Sequence, residues 1–166
     1  MKRSASAILT THAGSLARSQ DLHEMLLARG TGKLIDDRFF DDAVRNGVMD
    51  VVKRQVDTGL TTVSDGEQSK INYAAYVKDR LAGIASDHQP MPFNPDAKQF
   101  PEWASKDPSM LPWGRQAVTG PLTWKNFGDV ERDIVNMKAA TQAVPPQEAF
   151  MCSVSPAAIA AQVRNA

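Results

Sequence analysis

The sequence has little cysteine, no excess charge of either sign and no long apolar run, and each absence excludes a class of protein. Cys152 is the one cysteine among 166 residues, so a disulfide within the chain is excluded and a reducing compartment is expected. Nineteen basic residues balance nineteen acidic ones without forming a basic block, which disfavours nucleic acid and membrane surfaces as partners. No segment approaches the roughly 20 apolar residues that span a bilayer.

Signatures of secretion and of nucleotide binding are missing as well. The N-terminus lacks the apolar core of a signal peptide, and the sequence contains neither GxxxxGKS/T nor GxGxxG. We therefore expect a cytoplasmic protein without a nucleotide cofactor. The hydrophobic share of 42% suffices for one domain over residues 1–166.

The sequence does contain β-prone segments that alternate with amphipathic helical patterns. The β-prone segments are residues 7–11, 60–64, 115–118 and 149–154. The helical patterns cover residues 21–29, 37–58, 71–84, 129–144 and 156–166. Such alternation predicts an α/β fold with a parallel sheet and right-handed crossovers. Four βα units make either an open sheet or half of a (β/α)8 barrel, which needs eight.

Four residues are expected to begin, end or interrupt these helices. Gly59 is predicted to end the second helix as its C′ residue, Asp129 to cap a later helix, and Pro156 to open the last one. Gly47, inside the second helix, costs about 1 kcal/mol of helix propensity relative to alanine. Nothing in the sequence explains this glycine.

A proline-rich segment, residues 87–113, interrupts the alternation after the second unit. Residues 87–112 hold six of the ten prolines, together with Phe93, Phe100 and Trp103. Because aromatic side chains at this density usually pack on something, we interpret the segment as an ordered inserted excursion or an extended hairpin, and not as a flexible linker.

Polar and small residues follow each predicted strand, where α/β proteins place their active sites. These strand-end residues are His12, Gly14 and Ser15; Asp65, Gly66 and Glu67; Thr119 and Gly120; and Ser153 and Ser155. Two acids, a histidine and several hydroxyls would suit a small polar substrate that carries an amino group. Taken singly, each of these residues is more typical of a helix cap or a tight turn than of a binding site. Their joint placement favours a binding site.

His12 and Cys152 are the candidates for metal or nucleophilic chemistry. A zinc site needs three or four ligands, and neither His23, His88 nor Cys152 has a ligand-like spacing to His12. His12 is alternatively a base or a hydrogen-bonding residue of the loop. Cys152, within the fourth predicted strand, is typical of a small buried hydrophobic residue.

Three motifs, in this order, resemble those of the cobalamin-independent methionine synthase family. They are TTHAGSL at 10–16, VSDGEQSK at 63–70 and TGPLT at 119–123. The resemblance implies a zinc-dependent (β/α)8 TIM-barrel type of fold, of which about four units, a half barrel, are present here. It also implies methyl transfer from a 5-methyltetrahydrofolate-type donor to the thiol of homocysteine, which gives methionine.

The resemblance further implies which residues contact each substrate. Those matching the amino-acid side are Ala13, Gly14, Ser15 and Glu67, and the strand-end residues Asp65 and His12 are further candidates for substrate binding. Those matching the folate side are Thr119, Gly120 and Phe127. Glu67 corresponds to the carboxylate that holds the substrate's amino group, and residues 13–15 correspond to the segment that holds its backbone.

The chain departs from the family pattern in two respects. Ala17 and Ser19 stand where the family usually has prolines. The family's zinc ligands lie in the second half of its barrel, so we assign no metal ligand within this chain. We therefore expect a methyltransferase half that is inactive alone and pairs with a second copy, with a separately encoded second half, or with sequence lost by truncation.

Two alternatives to this function remain open. The chain is either a non-catalytic amino-acid-binding or assembly module, or a metal-independent barrel enzyme that uses Glu67 or Asp65 as a base.

Overall fold

Helices and short strands build a mixed α/β chain, which confirms the predicted α/β class. The computed structural model describes residues 3–86, 95–106, 116–125 and 127–165. Its elements are α1 (Gln20–Gly30), α2 (Asp37–Asp57), β1 (Thr62–Ser64), α3 (Tyr73–Arg80), β2 (Leu81–Ser86), α4 (Pro95–Gln99), α5 (Pro101–Ala104), β3 (Gln116–Trp124), α6 (Gly128–Ala143), β4 (Glu148–Phe150), α7 (Pro156–Gln162) and β5 (Val163–Asn165).

The chain divides into two units, each held together by its own internal contacts. The first combines Met1–Tyr73 with Asn126–Val154, and the second combines Ala74–Lys125 with Ser155–Ala166. Among the helices of the described ranges, none has the length and apolarity that crossing a bilayer requires.

The core of the first unit is formed by α1, α2, α6 and β1. Its buried members are Leu22, Leu26, Phe40, Val44, Val48, Val52, Val63, Met137 and Ala140. The predicted apolar stripe of α2 supplies four of them, at the i, i+4 spacing that places side chains on one helix face. Burying each of these aliphatic or aromatic side chains contributes about 1.5–3 kcal/mol, so α2 anchors the elements around it.

A parallel pair of strands lies in this first unit. In it, β1 pairs with β4 in the register Thr62↔Glu148 to Ser64↔Phe150. The predicted first strand, residues 7–11, is reduced to an isolated parallel bridge between Thr11 and Thr62. The reason is a lack of buried surface, since Ile8 is 84% exposed and, of residues 7–11, only Leu9 is half-buried. The predicted fourth strand, 149–154, corresponds to β4, which begins at Glu148 and ends at Phe150.

The second unit contains a mixed three-stranded sheet that the sequence did not predict. Its order is β2-β3-β5, with β2 antiparallel to β3 and β5 parallel to β3. The expected helix over 71–84 is therefore wrong beyond Arg80. Gly83 has a φ of +81°, which an α-helix does not accommodate. A Cβ on Gly83 would lie 2.4 Å from the Pro121 carbonyl oxygen, so the backbones of β2 and β3 approach each other closely at this residue.

The third predicted strand, 115–118, is longer than expected and differently placed. It corresponds to β3, which continues through Thr119, Gly120 and Pro121 rather than ending there. Strand β1 pairs with β4, whereas β3 pairs with β2 and β5. Four strands in one parallel sheet are thus not found within the described ranges.

Helix boundaries agree with the sequence at two predicted signals and differ at two. Gly59 follows α2 with a φ of +84°, and Ser155 caps α7 so that Pro156 opens it. At α6, Asp129 lies in the first turn while Phe127 takes the N-cap position. The last helix stops at Gln162 because β5 pairs with β3 instead of continuing the helix to residue 166.

The proline-rich excursion, 87–113, falls largely outside the described residues. Its described part contains the two short helices α4 and α5. Phe100 and Trp103, which we expected to pack, are 55% and 47% exposed.

Candidate functional site

The polar residues that follow β1 are buried, which is unusual for a loop. We call residues 65–70 the acidic loop. Five polar side chains in and beside it expose no more than 6% of their surface: Ser64, Asp65, Glu67, Gln68 and Lys70. Buried polar groups are costly unless they are hydrogen-bonded, so the partners of these groups define the structure of the loop.

Glu67 has a backbone conformation that side-chain-bearing residues rarely adopt. Its φ is +56°, and within the described ranges no other residue except glycine has a positive φ. The left-handed region costs roughly 1–2 kcal/mol for an L-residue. Such conformations persist where the surroundings enforce them, and they cluster at functional sites. The Ser15 hydroxyl donates a hydrogen bond of 2.5 Å to Glu67 Oε2.

Residues 12–16, the N-terminal loop, lie directly against the acidic loop. The Leu16 N–H donates to the Gly66 carbonyl oxygen at 3.0 Å. A Cβ on Gly66 would lie 3.0 Å from Leu16 Cβ and 3.2 Å from Val51 Cγ2. The two segments are about 50 residues apart in sequence, and this contact brings the Ser15 hydroxyl to the Glu67 carboxylate.

Asp65 and Lys70 form a buried ion pair across the acidic loop. Lys70 Nζ lies 3.0 Å from Asp65 Oδ2, and the two side chains are 3% and 4% exposed. Asp65 Oδ1 accepts a hydrogen bond from the Glu67 N–H at 3.2 Å. Both Asp65 oxygens are therefore engaged within the loop. Removing one partner of such a pair leaves a buried charge uncompensated, which is strongly destabilising.

The Arg18 side chain binds backbone carbonyl groups of the acidic loop. Its Nη2 donates to the Glu67 carbonyl oxygen at 2.7 Å and to the Lys70 carbonyl oxygen at 2.5 Å. Burial lowers the pKa of the Arg18 guanidinium, while the nearby charges of Glu67 and Asp65 raise it. The guanidinium nevertheless remains a cation, since arginine does not lose its proton in proteins.

Two glutamines fix the site to α2 and to the N-terminal loop. Gln55 exchanges two hydrogen bonds with the backbone of Ser64, one to its carbonyl oxygen at 2.8 Å and one from its N–H at 3.0 Å. Gln68 Nε2 donates to the Leu16 carbonyl oxygen at 3.2 Å. The Gln68 side chain also lies against Gly47, where a Cβ would be 2.8 Å from Gln68 Oε1. This contact supplies the reason for Gly47 that the sequence lacks.

Sequence reasoning missed Arg18, Gln55 and Gln68. Gln55 had a signal, because it continues the buried spacing of Val48, Val51 and Val52 as a polar residue on an apolar face. Arg18 and Gln68 had none, since each acts on backbone groups in a segment about 50 residues away.

The structure brings two of the predicted substrate-side residues into direct contact and places the others around them. Ser15 and Glu67 are hydrogen-bonded, while Ala13 is exposed and Gly14 half-buried. His12 Nε2 lies 3.4 Å from the Ser15 carbonyl oxygen, within the N-terminal loop itself.

The predicted folate-side residues lie in both units. Thr119 and Gly120 belong to β3 of the second unit. Phe127 precedes α6 in the first unit, where its ring is 52% exposed.

A zinc site does not fit the residues that the structure describes. No group of three or more His, Cys, Asp or Glu side chains in these ranges converges as a ligand set. Cys152 is a free, half-buried thiol. Structural zinc sites take four protein ligands and catalytic ones three, so we derive no chemical step through zinc from this chain.

The fold and the site together define a mixed α/β protein with a buried carboxylate, hydrogen-bonded to the hydroxyl of an exposed serine, beside a parallel strand. Neither a protein-family model nor a curated protein sequence matches the chain.

Among solved structures, the chain is similar to a B12-independent methionine synthase from Shewanella sp. W3-18-1, in complex with selenomethionine. The TM-score is 0.60 at 16% sequence identity, over 94% of this chain. The chain spans 40% of the length of that protein. At this identity the likeness concerns the fold.

Proposed function

We propose that the chain supplies the amino-acid-binding part of a methionine-synthase-like methyltransferase. Its substrate would be an amino acid that carries a thiol, with homocysteine as the first candidate. The fold likeness and the ordered motifs support the class of protein. The Ser15–Glu67 pair is the observation that carries the assignment of the site.

Glu67 is suited to hold a substrate ammonium group. A carboxylate pairs with an ammonium by charge and by charge-assisted hydrogen bonds, which are about twice as strong as neutral ones. Glu67 is buried, and a low local dielectric strengthens such a pair. Because the neighbouring Ser15 is exposed, we propose that the substrate approaches the carboxylate from the Ser15 side.

The N-terminal loop would take the substrate's carboxylate. Nothing lies within 4 Å of the place where a Cβ on Gly14 would be, so a ligand can approach the backbone there. Backbone N–H groups that point into a concave turn bind anions. The ammonium group of an amino acid would thus contact Glu67, and its carboxylate would contact residues 13–15. The Ser15–Glu67 bond already joins these two parts of the site.

Asp65 is better suited to shape the acidic loop than to act as a base. Its two oxygens accept hydrogen bonds from Lys70 Nζ and from the Glu67 N–H. A general base must instead lie within hydrogen-bonding reach of the proton that it abstracts. In this proposal methyl transfer needs groups beyond this chain, and the chain alone is inactive.

Titration calorimetry with homocysteine and with methionine tests the proposed site. Glu67→Gln keeps the size of the side chain and removes its charge, so we expect at least about 10-fold weaker binding of both ligands, the effect of losing one hydrogen bond to a charged group. Glu24→Gln is the matched control, because Glu24 is exposed on α1 and bonds to Gln20 there.

Equal affinity of the wild type and Glu67→Gln for methionine would contradict the role of Glu67. Binding of homocysteine thiolactone, which has no free carboxylate, with the same affinity as homocysteine would contradict the role of residues 13–15.

A further inference from the structure

The Glu67 carbonyl oxygen is the point at which two hydrogen-bond donors meet in the acidic loop. The Glu67 carbonyl oxygen accepts from Arg18 Nη2 at 2.7 Å and from the Lys70 N–H at 3.0 Å. A carbonyl oxygen has two lone pairs, so these two donors satisfy it. Arg18 Nη2 also donates to the Lys70 carbonyl oxygen, which places the guanidinium across both ends of the 67–70 turn.

We propose that Arg18 is a positioning residue for Glu67, holding its peptide in the left-handed conformation so that the carboxylate faces Ser15 and the substrate ammonium. This inference rests on the proposed function for its consequence in binding. Its geometric basis does not depend on that function.

The conformation of Glu67 needs an external restraint of this kind. A glutamate with a φ of +56° would relax to a negative φ if its backbone partners were lost. Relaxation would rotate the Cα–Cβ bond and carry the carboxylate away from the Ser15 hydroxyl. Arginine suits the restraint because its planar group presents several donors in a fixed geometry. A lysine at this position would keep the charge but not that geometry.

A double-mutant cycle distinguishes positioning from direct contact with a ligand. We expect Arg18→Ala to weaken methionine binding about 10-fold, as loss of a charge-assisted hydrogen bond does. In a Glu67→Ala background the same change is expected to have no further effect, because Arg18 acts through Glu67. Arg18→Lys should lie between the wild type and Arg18→Ala. Arg54→Ala, on the exposed face of α2, is the control and should bind as the wild type does.

An equal loss of binding in both backgrounds would overturn the inference, since Arg18 would then act independently of Glu67. If the wild type binds no amino acid, the proposed function fails, and amide hydrogen exchange decides the inference separately. Arg18→Ala is then expected to reduce the protection of the Leu16 and Lys70 amides, which bond to Gly66 and Glu67, while Val48 in α2 stays protected.

Unchanged protection at the Leu16 and Lys70 amides would overturn the positioning role whether or not a ligand binds. The role would also be overturned if Arg18→Ala and Arg18→Lys both lost protection at Val48, because Arg18 would then stabilise the whole unit. Local loss in Arg18→Ala, with partial recovery in Arg18→Lys, is the result that supports it.

Discussion

Glu67 combines a disfavoured backbone with a buried charge, and the residues around it compensate for both. Arg18 restrains its carbonyl group, Asp65 accepts from its N–H and Ser15 donates to its carboxylate. Each of these side chains is polar, and each satisfies a group that burial would otherwise leave unpaired. The site is therefore a network in which changing one member alters the geometry of the others.

Substitution of Gly47, a residue of α2, tests how tightly this network packs against the helix. Gly47→Ala gains about 1 kcal/mol of helix propensity, but its Cβ would lie 2.8 Å from Gln68 Oε1 and 3.1 Å from Leu22 Cδ2. Because Gln68 is fixed by its bond to the Leu16 carbonyl oxygen, we expect the clash to prevail. The expected result is a net destabilisation of about 1–2 kcal/mol, measured by chemical denaturation.

The double variant with Gln68→Ala provides the control for Gly47→Ala. Removing the Gln68 side chain removes the closest contact, so Gly47→Ala should cost less in that background than in the wild type. If Gly47→Ala stabilises the otherwise unchanged protein, the packing of Gln68 against α2 is contradicted.

At the scale of single residues, the sequence identified the acids and hydroxyls of the site but not the side chains that hold them in place. Ser15 and Glu67 could be predicted together because each follows a β-prone segment. Arg18 could not, because it lies in an irregular segment without periodicity. Its partners are backbone carbonyl oxygens, which leave no trace in residue type.

Helix α2 is the element on which the acidic loop depends, and its C-terminal end is closed by a glycine motif. The Gly59 N–H donates to the Val56 carbonyl oxygen at 2.9 Å, and the Leu60 N–H donates to the Gln55 carbonyl oxygen at 3.0 Å. This pair of bonds is the Schellman motif, with Gly59 at C′. The motif turns the chain from α2 into β1, whose end carries the site.

Gly59→Ala should destabilise the protein by about 1 kcal/mol, the cost of placing an L-residue at a φ of +84°. No atom lies within 4 Å of the added Cβ, so the effect would come from the backbone alone. Gly59→Asn is the control and should cost less, because asparagine tolerates this conformation better. Thermal unfolding measures both. Equal stability of Gly59→Ala and the wild type would contradict the motif.

The elements that were predicted best are those in which an apolar pattern repeats over a long segment. Those predicted worst are short. The apolar stripe of α2 runs from Phe40 to Val56 and identifies the helix clearly. Over residues 81–86 the pattern Leu-Ala-Gly-Ile-Ala-Ser suits either a helix end or a strand. Pairing with β3, which is distant in sequence, determines the outcome, and Gly83 was the one local sign of it.

The whole molecule has apolar surface that its own described residues leave uncovered. In the first unit Phe39 is 69% exposed and Val135 is 63% exposed, and in the second unit Trp124 is 60% exposed. The parallel pair β1 and β4 is small for a type of sheet that is usually covered on both faces. We propose that this apolar surface is covered by a second copy or by a complementing half.

Zinc content and mass, measured together on the purified protein, test the hypothesis that this chain holds the amino-acid-binding part of the site but not the metal site. We expect a monomer fraction to bind less than one zinc per chain, because the described residues lack a three-ligand group and a zinc site needs at least three protein ligands. Cys152→Ser is the control and should leave the zinc content unchanged. Light scattering during gel filtration gives the mass of each fraction, and a dimer or larger species would identify a second copy as the partner. Tight, stoichiometric zinc in a monomer would contradict the hypothesis, because a complete metal site would then lie within this chain.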